Sequence, residues 1–373
     1  FFLSFNINMF TVSKQYINHR CGLHLAEYQQ KDPITGKLGI INGNGKFTAC
    51  HDHKHITREK YNEVVPKIID EFVDAGFAKT QESFEKEINV CEEYEHLKKD
   101  TISPGKITAQ KTTKSNSLVR KYMPHIHEVE DHKGSNILKL WTREKITKAF
   151  KSLDKPNATV NSNFSEFKRV IKFNPVTIYS PIMTKSIVKT LECKTVFDPC
   201  IGWGGRMIGT TCLGEGYHYT GCEPFTKTFN GLEGMVNDLD IGDQVTLYNR
   251  GVETVLEELD DQKFDMCLTS PPYFDLEVYC HEPTQSIKKY EKYEEWIDNF
   301  IKPIIEYVCT HVEKYSCWSV KNIKTDKKYN LLDDVVRIHA ENGWKLDREY
   351  SIKKNTNKNK TADGDVTYVF SKE

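Results

Sequence analysis

The chain has 373 residues, 38% hydrophobic and 28% charged, with a formal net charge of −1. That length is enough for two domains and a sizeable core, and the composition is that of an ordinary soluble protein. It excludes the global basic excess that advertises a nucleic-acid binder, so any such role must rest on a local charge pattern. Eleven cysteines are scattered without regular spacing and read as reduced thiols rather than a disulfide framework.

The opening FFLSFNINMF is apolar but too short for a membrane span, and it has no basic leader. Met9 reads as a start, and the expected location is cytoplasmic, in a bacterial cell or a virus-infected host cell. Residues 9–56 carry short alternating stretches and turn glycines (Gly36, Gly39, Gly43, Gly45) that predict small β-hairpins. Cys21 and His24, followed by Cys50, His51, His53 and His55, offer ligand types that suit zinc. Their spacing is irregular against known zinc patterns, and no metal is assigned.

Residues 58–76 repeat apolar positions at helical spacing (Tyr61, Val64, Val65, Ile68, Ile69, Phe72, Val73), with Gly76 as a stop. A second, acidic helix is predicted over 81–99. From Arg58 to Asp100 there are seven basic and twelve acidic residues. The sign then reverses: Lys106 to Lys172 holds fifteen Lys/Arg against six Asp/Glu. Its first part reads as a polar linker, and 136–152 as a basic helix or helix pair around Thr142. Lys111, Lys114, Arg120, Lys121, Lys139, Arg143, Lys145, Lys148 and Lys151 are placed to track DNA phosphates, or to form a solvated helix face with a flexible linker.

From about 185 strands and helices alternate. Strands are predicted at 194–198, 217–222, 245–249, 264–269, 315–320, 344–352 and 366–371. Helices fit 181–192, 205–213, 226–238, 252–259, 290–314 and 329–342. Such alternation predicts a doubly wound parallel sheet. The last two strands flank a polar loop over 353–364 and read as an antiparallel hairpin at the sheet edge. The expected division is an N-terminal α+β accessory domain, 1–165, and an α/β domain, 166–373.

Two motifs carry the chemistry. The first, DPCIGWGG, runs from Asp198 to Gly205 after the strand Lys194–Phe197. Gly202, Gly204 and Gly205 let the backbone approach a ligand closely. Glu223 ends the second strand, 25 residues after Asp198, where an acid grips ribose hydroxyls. Asn249-Arg250-Gly251 follow the third strand, where an adenine can be contacted. No Lys follows the glycines, so this is not a phosphate-binding loop, and a ligand without phosphates is preferred over ATP.

The second motif, TSPPYFDLEVY from Thr269 to Tyr279, follows the apolar run Phe264–Leu268. A polar residue, two prolines and an aromatic at a strand end form a stiff platform for a flat ring bearing an amino group. The lone pair of such a nitrogen is delocalised and poorly nucleophilic. Ser270 Oγ and the Pro271 carbonyl can accept both amino hydrogens and favour a tetrahedral nitrogen, which combines fixed dipoles with placement. Pro271 and Pro272 fix the backbone, Tyr273 can stack on the ring, and Phe274 can assist. Cys200 beside Pro199 is not read as a nucleophile, because it sits in the glycine turn rather than beside the fourth strand.

These motifs, in this order, resemble those of the S-adenosylmethionine-dependent DNA amino-methyltransferases, which act on N6 of adenine or N4 of cytosine. The resemblance covers residues 170–371. It implies a doubly wound, seven-stranded Rossmann-like sheet, S-adenosylmethionine as cofactor and a flipped base in DNA as substrate. The family's (S/N/D)PP(Y/F) motif falls on Ser270, Pro271, Pro272 and Tyr273, which the resemblance makes catalytic, with Tyr273 and Phe274 toward the base; Lys114, Arg120 and Lys121 of the basic segment are expected toward substrate from their charge. Its D-P-x-x-G-x-G motif falls on Asp198, Pro199, Gly202 and Gly204. Asp198 is then expected at the methionine end of the cofactor and Glu223 at the ribose. Phe173, Tyr179, Cys200, Pro224, Gly251 and Ser270 complete the implied cofactor site. Cys200 stands where the family carries an aromatic. Recognition of DNA falls by elimination to residues 9–165. The remaining alternatives are an RNA or protein-amide N-methyltransferase, and an inactive DNA-binding subunit of the same fold; whether a second subunit is needed stays open.

Overall fold

The computed structural model describes residues 10–17, 23–41, 47–49, 54–84, 87–100, 115–154, 176–351 and 366–372. The chain divides into two compact units, each discontinuous in sequence. One takes in Phe1–Glu87 and Ser135–Pro175, the other Ile88–Gly134 and Val176–Glu373. A single cut at 165/166 is therefore replaced by an exchange of segments. Residues 88–134, expected in the accessory domain, belong with the α/β unit.

In the first unit the long helix Arg58–Phe84 presents Tyr61, Val64, Ile68 and Phe72 to a core shared with Trp141, Ile146 and Phe150. Gly76 ends the predicted helix, and a second helical stretch follows it across a kink. Gly76 takes φ 72° and ψ 172°, a break that glycine tolerates, and the second stretch runs to Phe84. The basic pair around Thr142 is present as Ile137–Leu140 and Arg143–Leu153, with the Thr142 side chain capping Lys145 N. The predicted hairpins form a small antiparallel sheet of Gln30–Lys31, Leu38–Ile41 and Phe47–Ala49. Leu23–Leu25 instead pairs in parallel with Lys54–Ile56.

The second unit is built on seven strands: β1 Thr195–Asp198, β2 His218–Cys222, β3 Val245–Tyr248, β4 Phe264–Thr269, β5 Val312–Ser319, β6 Trp344–Ser351 and β7 Val366–Lys372. Their spatial order is β6-β7-β5-β4-β1-β2-β3. β1 to β5 are mutually parallel, and β7 runs antiparallel to both β5 and β6. This is the Rossmann-like methyltransferase fold, doubly wound and seven-stranded. The hairpin is present at one edge of the sheet, with β6 outermost and β7 between it and β5.

Side-chain alternation splits the core in two. Val196, Met266, Leu268, Cys317 and Val369 enter one cluster, with helices α1 Val90–Lys99, α2 Asn116–Tyr122, α3 Pro181–Thr190, α4 Gly205–Thr211 and α5 Thr226–Asp238. Phe197, Phe264, Cys267, Trp318 and Phe370 enter the other, with α6 Lys302–His311 and α7 Leu331–Glu341. Fully burying a side chain such as Phe197 stabilises by about 1.5–3 kcal/mol. Residues 88–134 contribute Tyr94, Leu97, Leu118, Val119 and Met123 to the first cluster. Tyr94 OH donates to Thr211 Oγ1 at 2.9 Å, and Lys185 Nζ donates to the Leu97 and Lys98 carbonyls at the end of α1.

Two predicted helices differ. Residues 252–259 form short 3₁₀ turns, Val252–Thr254 and Leu256–Leu259. The span 290–314 starts as Tyr293–Trp296, widens to a π-turn over Ile297–Ile301, and continues as α6. Pro303 explains the widening, since it has no N–H to donate back along the helix.

Candidate active site

The sheet reverses its winding between β1 and β4, which are neighbours although two strands separate them in sequence. Ligands of open α/β sheets bind at that reversal, beyond the carboxyl ends of the strands. Asp198, Glu223, Asn249 and Ser270 all stand at or just past the carboxyl ends of β1, β2, β3 and β4. The two motifs therefore share one mouth.

Asp198 is held by the protein on every side. It is fully buried, and donors from four residues surround its carboxylate. Arg206 Nε lies at 2.6 Å and Tyr219 OH at 2.5 Å from Oδ2. Thr269 Oγ1 lies at 2.8 Å and Cys200 N at 3.1 Å from Oδ1. Arg206 also donates to the Cys200 and Ile201 carbonyls, and its guanidinium lies 5.1 Å from the Tyr179 ring centre. Both oxygens of Asp198 are thus spent inside the protein. The carboxylate shapes the glycine turn and joins it to β4.

The turn is tight for identifiable reasons. Gly202 and Gly204 have φ 58° and 84°, in the left-handed region. A Cβ on Gly205 would collide with the Tyr179 carbonyl, so only glycine lets that segment lie against the start of α4. A Cβ on Gly202 would meet nothing within 4 Å, leaving open space beside its backbone. Trp203 packs against His125 and Tyr279, with ring centres 5.5 and 5.9 Å apart. The Cys200 thiol is half-buried, and burial first, then the Asp198 charge, pushes its pKa well up, so it is not an activated nucleophile.

Glu223 fits the role of ribose acceptor. Oε2 accepts Gly202 N at 2.9 Å and Oε1 accepts Phe225 N at 2.8 Å. Two backbone donors leave lone pairs on both oxygens for hydroxyl hydrogens. Burial pushes its pKa up to about 8, against those same two hydrogen bonds. A second acid, Glu253, has a buried Oε2 without a partner among the described residues, while Oε1 holds Lys289 Nζ at 2.5 Å. It follows β3, and its charge is felt at Cys222. A buried acceptor without a donor is costly, and the amino group of an adenine is a donor of the required kind. The donor set at the mouth therefore fits a nucleoside-bearing cofactor.

The Ser270–Tyr273 ledge is held from β5. Ser270 Oγ donates to the Ser319 carbonyl at 3.1 Å, and Tyr273 OH donates to the same oxygen at 3.3 Å. With its hydrogen committed to Ser319, the Ser270 oxygen presents lone pairs elsewhere. Among the described residues no donor reaches the Pro271 carbonyl, and Ser270, Pro272 and Tyr273 are half-buried. Lys321 Nζ lies 5.3 Å from the Tyr273 ring centre.

Other expected residues divide. Phe274 is 4% exposed, at φ 46°, and its ring faces Tyr293, Trp296 and Tyr329 at 5.5, 5.6 and 5.2 Å. It packs under the loop and does not face a substrate. Tyr179 hydrogen-bonds Thr367 Oγ1 at 2.7 Å and covers Arg206, so it supports the turn. Pro199 is buried, and Pro224 is half-buried with its carbonyl taking Thr284 Oγ1 at 3.3 Å. Gly251 is buried beside the Glu253 carboxylate. Arg120 and Lys121 are exposed near the end of α2, which docks on α5 through Tyr122. Phe173, Lys114, Cys21, Cys50 and His53 lie outside the described residues. Among the described residues no group of three or more His, Cys, Asp or Glu side chains could hold a metal ion.

No protein-family model matches the chain. No curated protein matches it either. Solved structures do. TrmN of Thermus thermophilus is 9% identical, covering 52% of this chain and 49% of its own, with TM-score 0.36. Magnesium protoporphyrin IX methyltransferase of Synechocystis PCC 6803, solved with bound SAM, is 12% identical over 60% of this chain and 90% of its own, with TM-score 0.34. Precorrin-6y C5,15-methyltransferase of Geobacter metallireducens GS-15 is 13% identical over 52% and 90%, with TM-score 0.35. The chain thus matches about half the length of the Thermus protein. The strand order, not the size of these likenesses, defines the fold. Among the described residues no helix is long and apolar enough to cross a membrane.

Proposed function

We propose that this protein transfers a methyl group from S-adenosylmethionine to the exocyclic amino group of a base flipped out of DNA, at N6 of adenine or N4 of cytosine. The observation that carries this reading is the Ser270 hydroxyl, whose hydrogen is given to the Ser319 carbonyl. The Ser270 oxygen and the Pro271 carbonyl are then two fixed acceptors one residue apart, matched to the two hydrogens of an amino group.

When bound, S-adenosylmethionine would supply the methyl carbon, its bond to sulfur breaking as the bond to nitrogen forms, with the neutral thioether leaving and one proton of the methylated nitrogen released to solvent. Glu223 and Glu253 would hold its ribose hydroxyls and adenine amino group, and the glycine turn gives it backbone to lie against. Ser270 and Pro271 orient the target nitrogen so that its lone pair leaves the ring system. Pro271 and Pro272 keep both acceptors from following the nitrogen as it pyramidalises. Tyr273 gives the ring a face to stack on, worth about 1–3 kcal/mol per base. A base within a duplex cannot reach this ledge without leaving the helix.

The test is labelled-methyl transfer to duplex DNA, single-stranded DNA and RNA, followed by digestion to nucleosides and mass identification. N6-methyladenine or N4-methylcytosine from DNA is the expected product. Label only in RNA or protein overturns the substrate, and no label in any acceptor overturns the reaction.

A further inference from the structure

We propose that the hairpin Ile323–Lys324/Lys328–Tyr329, with Lys321 just before it, is the surface that grips the nucleic-acid backbone beside the target base. The proposal rests on the nucleic-acid reading above and moves the phosphate contacts away from residues 106–172. The segment KNIKTDKK, 321–328, holds four lysines and one aspartate. Lys321, Lys324, Lys327 and Lys328 are all exposed, and none is ion-paired among the described residues.

The hairpin is fastened to the catalytic loop itself. Thr325 Oγ1 and Tyr329 OH each lie 3.4 Å from the Asp275 carboxylate, two residues past Tyr273. The Tyr329 ring packs on Phe274 at 5.2 Å and stacks on Tyr293 at 4.7 Å. Lys321 lies over the Tyr273 ring, the proposed base platform. The nearby acids are engaged. Asp275 takes the hairpin's hydroxyls, Asp333 accepts Asn322, Asp334 holds Tyr293 and Arg337, and Asp326 faces His132 at 3.8 Å. Those contacts leave the acids charged, but over 321–328 itself four lysines stand against Asp326, an excess of positive charge held next to the ledge. A polyanion is the partner that such charge attracts, and a strand running past Tyr273 is the one whose base can reach Ser270.

The test is anisotropy of a labelled DNA duplex and of its single strand over a range of salt. The wild type is compared with K324A/K327A/K328A, with the same three lysines changed to arginine, and with R120A/K121A. A thermal melt of each confirms folding. Each lost phosphate contact reduces the slope of log affinity against log salt by about one. The triple alanine variant is expected to lose about three units of slope on duplex DNA, the arginine variant to keep it, and R120A/K121A to match the wild type. An unchanged slope in the triple alanine variant, or loss of slope in R120A/K121A alone, overturns the assignment, as does failure of the wild type to bind either DNA. Binding without methyl transfer leaves the surface standing and overturns only the reaction.

Discussion

Thr269 Oγ1 lies 2.8 Å from Asp198 Oδ1, so the residue before the catalytic ledge is hydrogen-bonded to the first residue of the glycine turn. The two motifs are therefore fixed against each other by side chains as well as by the pairing of β1 with β4. Geometry at the ledge and geometry at the turn cannot vary independently.

Ser270→Ala removes one of the two fixed acceptors while keeping the loop. Loss of a single oriented group of this kind costs about a hundred- to thousandfold in turnover. We expect that loss with S-adenosylmethionine affinity unchanged by calorimetry. Full turnover in the variant removes Ser270 from the chemistry.

Arg206→Met leaves Asp198 buried without its ion partner. Breaking one side of a buried pair costs about 3–5 kcal/mol. The urea midpoint should fall accordingly, and Arg206→Lys should not restore it, because a point charge cannot also reach the Cys200 and Ile201 carbonyls. A midpoint within error of wild type excludes the role given to the pair.

Glu223 titrates differently in the folded and unfolded chain. Its folded pKa, about 8, lies above the ordinary 4.5, so the folded state holds the proton more tightly. The contribution to ligand-free stability is fully present below about pH 4.5 and is lost as pH rises through about 8. Glu223→Gln stays neutral and should flatten that part of the stability profile. The ionised carboxylate is the better acceptor of ribose hydroxyls, so wild-type cofactor affinity should rise from pH 6 toward pH 8. Equal slopes in the two proteins would contradict the burial argument.

Two glycines of one turn should respond differently to alanine. Gly202→Ala meets open space and costs only its left-handed backbone, about 1–2 kcal/mol. Gly205→Ala collides with the Tyr179 carbonyl, a backbone atom that cannot swing away. Chemical denaturation should show the second variant to be much the less stable. Calorimetry should show the first to be folded but weakened in cofactor binding.

Strand–helix alternation made all seven strands of the α/β unit legible in the sequence, including the antiparallel β6, which is largely exposed. The ledge and the turn were legible because prolines and glycines declare their backbone. Hidden were features set by long-range contact. Residues 88–134 join the α/β unit by burying Leu97, Leu118, Val119 and Met123 and through Tyr94, Tyr122 and His125, hydrogen-bonded to Thr211, Asp238 and Thr228, long-range contacts that no periodicity reveals. Asp198 carries the motif, but its inward aim depends on Arg206, Tyr219 and Thr269 arriving together. Glu253 looks like any surface acid until its burial is known. Phe274 sits beside the stacking tyrosine in sequence, yet its positive φ turns the chain and sends the ring into the core.

The insertion of β7 between β5 and β6 sets when the ledge can be complete. Ser319, whose carbonyl aligns Ser270 and Tyr273, pairs across the sheet with Thr367. Until residues 366–372 have been synthesised and threaded into their slot, β5 has an open flank and the ledge has no firm backing.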